Sequence, residues 1–147
     1  MLNLTRADGY RISTDPTRID LDRVHHWLST DTYWAMGRDR ETVERAFANS
    51  LPFGVYRPGD GGQVAVARVV TDRTTFAWLA DVYVDPAERG RGLGTWLAGV
   101  VRDHVTGLGV RRLVLATNDA HGVYAKVGFA PMDHPDRWMQ LDRRDPS

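Results

Sequence analysis

The sequence predicts a mixed α/β domain, and three observations point to it. Its 147 residues, 42% of them hydrophobic and 26% charged, suit one globular unit with a sizeable core. Apolar spacing changes from a helical period to a strand period and back along the chain. Three β-rich runs between residues 53 and 84 are separated only by turn residues, and helical and strand patterns alternate after them.

Residues 10–13 read as a short strand, which Asp15-Pro16-Thr17 breaks. Asp20 can cap a helix running through Val24, Trp27 and Leu28. Residues 29–37 form a loop or short helix with Tyr33, Trp34 and Met36, and residues 40–50 are helical with Val43 and Phe47 on one face. Strands at 53–56, 63–70 and 76–84 are joined by Pro58-Gly59-Asp60-Gly61-Gly62 and by Thr71-Asp72-Arg73. A helix from about 92 to 105, a strand at 112–116 and a helix at 120–127 follow, and strands at 129–130 and 138–141 are expected to close the sheet. No repeat or linker interrupts the pattern, so 1–147 reads as a single domain.

Composition narrows the function classes. Lys+Arg and Asp+Glu both number 19, a balance that weighs against nucleic-acid binding. With no cysteine, thiolate nucleophiles, disulfides and Cys-based zinc sites are excluded. The start of the chain has no basic stretch leading into an apolar one, and no apolar run approaches the roughly 20 residues of a membrane helix. A cytoplasmic protein without membrane partners is the expectation. The five histidines do not suggest a metal. His25 and His26 are adjacent and point to different helix faces, His104 belongs on a surface of the long helix, and His134 follows in a loop.

The most informative stretch is Val82-Tyr83-Val84-Asp85-Pro86-Ala87-Glu88-Arg89-Gly90-Arg91-Gly92-Leu93-Gly94-Thr95. A β-branched strand stops at a proline, and a Gly/Arg loop opens directly into an amphipathic helix. Glycines let backbone N–H groups turn toward an anion, and the start of a helix adds unpaired donors and a favourable dipole. Arg89 and Arg91 add positive charge. These parts suit a diphosphate. The loop lacks the Gly-Lys-Ser/Thr of a P-loop, and neither Gly90 nor Gly92 begins a dinucleotide fingerprint.

The stretch Arg89-Gly90-Arg91-Gly92-Leu93-Gly94 resembles the Arg/Gln-x-x-Gly-x-Gly/Ala signature of the GNAT superfamily of N-acetyltransferases. A second stretch, Thr117-Asn118-Asp119-Ala120-His121-Gly122-Val123-Tyr124-Ala125-Lys126-Val127-Gly128-Phe129, is similar to that family's Asn-x-x-Ala-x-x-Leu-Tyr-x-x-x-Gly-Phe. Ala120, Tyr124, Gly128 and Phe129 fall in register, whereas Thr117 holds the usual asparagine slot and Asn118 lies one residue late. The resemblance implies a central, mostly antiparallel mixed sheet splayed at the cofactor site and flanked by helices. It also implies acetyl-CoA as co-substrate, without a metal. Amides from Arg89 to Thr95 would then hold the diphosphate, and the strand Val82-Tyr83-Val84 would order the pantetheine arm, with Asn118 able to help. Tyr124 would protonate the departing thiolate, although a core tyrosine with a satisfied hydroxyl is the alternative. Asp81 stands where many relatives carry an acidic residue that draws a proton from the amine, and a structural acceptor is the equal alternative. His121, one turn before Tyr124, could assist proton transfer or be bonded locally.

Between the first helices, where relatives form the acceptor wall, Tyr33 and Trp34 could meet the substrate. With Phe53 and Trp78 they could shape an aromatic pocket, although core packing is the plainer expectation for Trp78. Asp31 and Asp39 could offset a positive substrate or simply be solvated. The expected reaction is direct attack of an amine, a small molecule in the first instance, on the thioester. A silent CoA-binding module and an enzyme acting on protein N-termini or lysines are the alternatives. A homodimer is compatible with the family, and nucleic acid is not expected.

Overall fold

Turn chemistry sets up the centre of the molecule, whose residues 1–145 are described by a computed structural model. Between β3 (Leu51–Tyr56) and β4 (Gln63–Thr71) the chain reverses through Gly59 and Gly61, with φ of 86° and 71°. A Cβ disfavours that left-handed backbone, and glycine does not carry one. Between β4 and β5 (Ala77–Val84) the Asp72 carboxylate accepts from the N–H groups of Thr74, Thr75 and Phe76 and so fixes the turn.

This meander is the middle of a six-stranded sheet ordered β1-β2-β3-β4-β5-β6. On one side β2 (Arg11–Ser13) and β1 (Asn3–Thr5) extend it antiparallel. On the other, β6 (Leu113–Val114) pairs parallel to β5. The expected mixed, mostly antiparallel sheet is therefore present. Helices α1 (Leu21–Asp31) and α2 (Arg40–Ala48) cover one face, where Trp27, Leu28, Val43 and Phe47 pack with Val66 and Tyr83. Helix α3 (Leu93–Gly107) covers the other, where Leu97, Val101 and Val105 pack with Ile12, Phe53 and Val55. The short α4 (His121–Ala125) follows β6.

Two sequence expectations about the edges need correction. Strand β1 adds an edge beyond the expected strands: Leu2-Asn3-Leu4-Thr5 alternates apolar and polar residues, but the run is short and Asn3 to Thr5 are exposed. The strands expected at 129–130 and 138–141 are absent from the described sheet. A 3-10 turn at Pro135–Arg137 redirects the chain, and Met139 and Leu141 stay exposed. Trp138 instead lies over the Arg112 guanidinium, 4.5 Å from it.

A β-bulge on β5 matters most for function. Val66 pairs Tyr83 and Arg68 pairs Ala80, so Ala67 faces both Asp81 and Val82. Asp81 takes a φ of 53°, rare for a residue with a Cβ. The extra residue shifts the side-chain phase: Leu79 packs on the α3 side, whereas Tyr83 packs on the α1/α2 side. Asp81 follows Tyr83 to that second face, toward Trp34 and Arg38.

Candidate active site

Strand β5 meets β6 at only two positions, Ala77 with Leu113 and Trp78 with Val114. Beyond them the chain after β6 diverges toward α4, and β5 from Leu79 to Val84 becomes one wall of a cleft of about 1080 Å³. Residues 115–120 and Tyr124 form the facing wall. The loop before α3 closes one end, and the α1–α2 connection bounds the side of the second core.

Nearly all residues singled out from sequence meet in this cleft. Asp81, Val82, Tyr83, Val84, Arg89, Gly90, Gly92, Leu93, Gly94, Thr95, Asn118 and Tyr124 line it, as do Tyr33, Trp34 and Trp78. Two of them turn their side chains into the cores. The Leu93 side chain is buried in the core, and the Tyr83 ring is buried on the α1/α2 side with its hydroxyl donating to Asp31 at 2.5 Å. Arg91 lies outside the cleft lining, where its Nε sits 3.2 Å from the largely buried Glu88 carboxylate. Glu88 also accepts from the Tyr10 hydroxyl at 2.5 Å. Arg89 does line the cleft, donates from Nε to the Val84 carbonyl at 3.1 Å and stacks on the Tyr83 ring.

The start of α3 differs from the other long helices in how its N–H groups are met. Asp20 caps α1 and Asp39 caps α2, each accepting a first-turn N–H with its carboxylate. Helix α3 begins at Gly92, φ 73°, with no side-chain cap. Its first-turn donors and positive dipole end thus face the cleft unspent by any side chain. Gly94 lies beside Val84, where an added Cβ would make only an ordinary contact, 3.7 Å from a Val84 methyl group.

Tyr124 is half-buried in α4 with its ring edge-on to Phe129. Burial, with Tyr33 and Asp119 adding to it, raises its hydroxyl from the ordinary tyrosine value to about 12. It therefore keeps its proton at any working pH. Opposite it, Tyr33 reaches from the α1–α2 connection to the β6–α4 connection, and its hydroxyl accepts from the Asn118 N–H at 2.8 Å. Tyr33 and Trp34 meet edge to face at 4.9 Å.

Asp81 is the most buried charge in the site. Trp34 Nε1 donates to its Oδ1 at 2.8 Å, and Arg68 Nε and Arg38 Nη1 both donate to Oδ2, at 2.8 and 2.9 Å. Burial alone would raise this carboxyl, but the Arg68 and Arg38 charges and the bonds from Arg68 and Trp34 outweigh it and leave it below its usual range. It stays ionised with both oxygens engaged.

Other expectations are corrected by packing. Phe53 is wholly buried and lies outside the cleft, edge-on to His104, which is half-buried rather than on a free surface. Trp78 is 37% exposed in the cleft wall rather than in the core. Asp39 is a helix cap, and His121 is exposed outside the lining. Sequence reasoning missed Arg38 and Arg68. A lone arginine inside the apolar run Val64–Val70 was the available signal for the second.

One cleft thus joins an opened sheet edge, an uncapped, glycine-started helix and a protonated tyrosine across the gap. Comparisons with known proteins fix the family. Residues 21–129 match the acetyltransferase (GNAT) family, and the chain belongs to it. A provisionally named acetyltransferase of Gibberella zeae is 32% identical over 142 residues, covering 84% of this chain and 80% of that protein. A Xanthomonas campestris protein of the GNAT family is 44% identical with a TM-score of 0.84, over 91% of this chain and 93% of that one. A predicted acetyltransferase from Clostridium acetobutylicum, crystallised with acetyl-CoA, shares the fold at a TM-score of 0.64 and 17% identity, over 91% and 95% of the two chains. Among the described residues no helix is long and apolar enough to cross a membrane.

Proposed function

We propose that this acetyltransferase-family protein moves an acetyl group from acetyl-CoA to the nitrogen of an amine by direct attack. The observation that supports this reading most is one cleft shared by the unpaired edge of β5, the uncapped start of α3 and Tyr124. The Clostridium acetobutylicum relative with acetyl-CoA bound is consistent with it. Bound acetyl-CoA supplies an activated acyl carbon, and the chain does the rest.

Amides from Gly90 to Thr95 bind the diphosphate, with Arg89 at the rim and the α3 dipole behind it. Backbone of Val82 to Val84 runs along the pantetheine arm in the manner of a neighbouring strand. The Tyr33 contact to Asn118 holds the two sides of the cleft together over the acetyl end. Tyr124 keeps its hydroxyl proton across the neutral and moderately alkaline range and gives it to the leaving thiolate. No covalent step on the enzyme is needed, in keeping with the absence of cysteine.

Asp81 acts in this reading as the counter-ion that organises Arg38 and Arg68. A carboxylate with both oxygens bonded and a lowered pKa is a poor base, so the amine proton leaves to water in the open cleft. Thiol release from acetyl-CoA, followed across a panel of amines, tests the proposal. Amine-dependent release is expected, whereas binding of acetyl-CoA with no release for any amine would make the chain a silent binding module.

A further inference from the structure

The cluster on the α1/α2 side of the cleft carries more charge than it cancels. Arg38 and Arg68 form ion pairs with one carboxylate, that of Asp81, and with no other acid among the described residues. Two guanidinium groups against one carboxylate leave a net charge of one positive unit. The Asp81 side chain is 1% exposed, whereas Arg38 and Arg68 are 22% and 14% exposed and both line the cleft.

The surplus sits on identifiable nitrogens. Arg38 uses Nη1, and Arg68 uses Nε toward Asp81 and Nη1 toward the Ser50 hydroxyl. Among the described residues no buried side-chain nitrogen lacks a partner, so the remaining guanidinium nitrogens of both arginines meet solvent. The other carboxylates along the cleft lie elsewhere. Asp31 takes Tyr83 and Arg89, Glu88 takes Tyr10 and Arg91, and Asp119 stands near Tyr124. His25 Nε2 bonds the Arg38 carbonyl at 3.1 Å and fixes the backbone from which that side chain extends.

Partly desolvated guanidinium groups with free donors suit a planar anion that takes two bonds at once. One carboxylate balances the cluster's charge, and a dianionic phosphate would overshoot it. We propose that the acceptor amine bears a carboxylate, an amino acid or close relative, which docks on Arg38 and Arg68 beside the Trp34 and Trp78 rings. This rests on the acetyl-transfer reading above and names its substrate class.

The test uses matched acceptors, an amino acid and the same molecule without its carboxylate, such as tryptophan with tryptamine and phenylalanine with phenethylamine. For the wild-type protein the carboxylate-bearing member of at least one pair should show kcat/KM higher by about 100-fold or more. In Arg38→Met and in Arg68→Met that preference should fall by at least about tenfold through the acceptor KM, and Arg68→Lys should restore only part of it. Acetyl-CoA affinity and melting temperature, measured alongside, guard against a folding defect. Equal or better use of the plain amines, or a preference that survives in both Met variants, overturns the proposal.

Thermal shift with CoA and each acceptor separates the two claims. Thiol release with plain amines alone leaves acetyl transfer standing and removes the carboxylate dock. Stabilisation by amino acids without thiol release does the reverse, provided Arg68→Met abolishes it. Neither response to any acceptor overturns both.

Discussion

In the proposed sites, the loop entering α3 offers backbone amides from one continuous run, Gly90 to Thr95, whereas the acceptor side offers side chains from Trp34, Arg38, Arg68 and Asp81. Trp34 and Asp81 alone are 47 residues apart in sequence. The first site depends on conformation that glycine permits, and the second on three elements meeting at a bulge. Substitutions in the loop should therefore act on the co-substrate through the backbone. Substitutions at the cluster should act on stability and on the acceptor.

The largest break is expected in the loop. Gly92→Val places a β-branched side chain at φ 73°, where such a residue is a marked outlier, costing about 3 kcal/mol of backbone strain if the shape is kept. An added Cβ would have nothing closer than an Arg6 nitrogen at 3.9 Å, so crowding is not the cause. Calorimetric titration should show acetyl-CoA affinity reduced by about 100-fold or more, because the amides no longer converge. Unchanged affinity would show that the loop shape is not what binds.

Next in size is chemistry at the opposite wall. Tyr124→Phe should lower kcat by about 100-fold while acetyl-CoA affinity stays nearly constant, since general acid catalysis is removed and the fit is not. With an acceptor at saturation, the wild-type rate should rise as the amine loses its proton. It should not fall again until the pH nears the Tyr124 value of about 12. A falling limb that persists unchanged in Tyr124→Phe would place the acid elsewhere.

At the cluster the expected loss is one of stability. Asp81→Asn leaves two guanidinium groups facing a neutral amide, and denaturant unfolding should show a loss of about 2–4 kcal/mol, the lower part reflecting water in the cleft. The folded-state pKa of Asp81 lies below its ordinary 3.8, so the carboxylate contributes stability above that value. That contribution disappears as pH falls through the lowered folded value. The gap between wild type and Asp81→Asn should accordingly be full at neutral pH and shrink below about pH 4. Smallest of all, Tyr33→Phe removes the acceptor of the Asn118 N–H, an exposed bond, and should raise the acceptor KM by about fivefold or less.

The same contrast explains what could be read in advance. Strands β3 to β5 and helix α3 were legible because their turns and spacing are local: Gly59, Gly61 and Asp72 mark the reversals, and Asp85-Pro86 ends β5. The loop was legible for the same reason, since its residues are contiguous. Arg38 and Arg68 were not, because nothing local ties a loop arginine to a strand arginine and a bulged aspartate. The bulge itself has no sequence mark, for Asp81 takes a left-handed φ without being glycine. The terminal misreading was of another kind: Trp138 to Leu141 has a strand's composition, but the Pro135 turn and the exposure of Met139 and Leu141 show it outside the sheet.

The most direct test is calorimetric titration of the wild-type protein with dephospho-CoA and, separately, with pantetheine, which keeps the thiol arm and lacks the diphosphate, with adenosine titrated alone to measure what the nucleoside contributes. The amide cradle at Gly90–Thr95 predicts that dephospho-CoA binds at least about 100-fold more tightly than pantetheine after the adenosine contribution is taken out. Equal affinity for the two on that footing would contradict it.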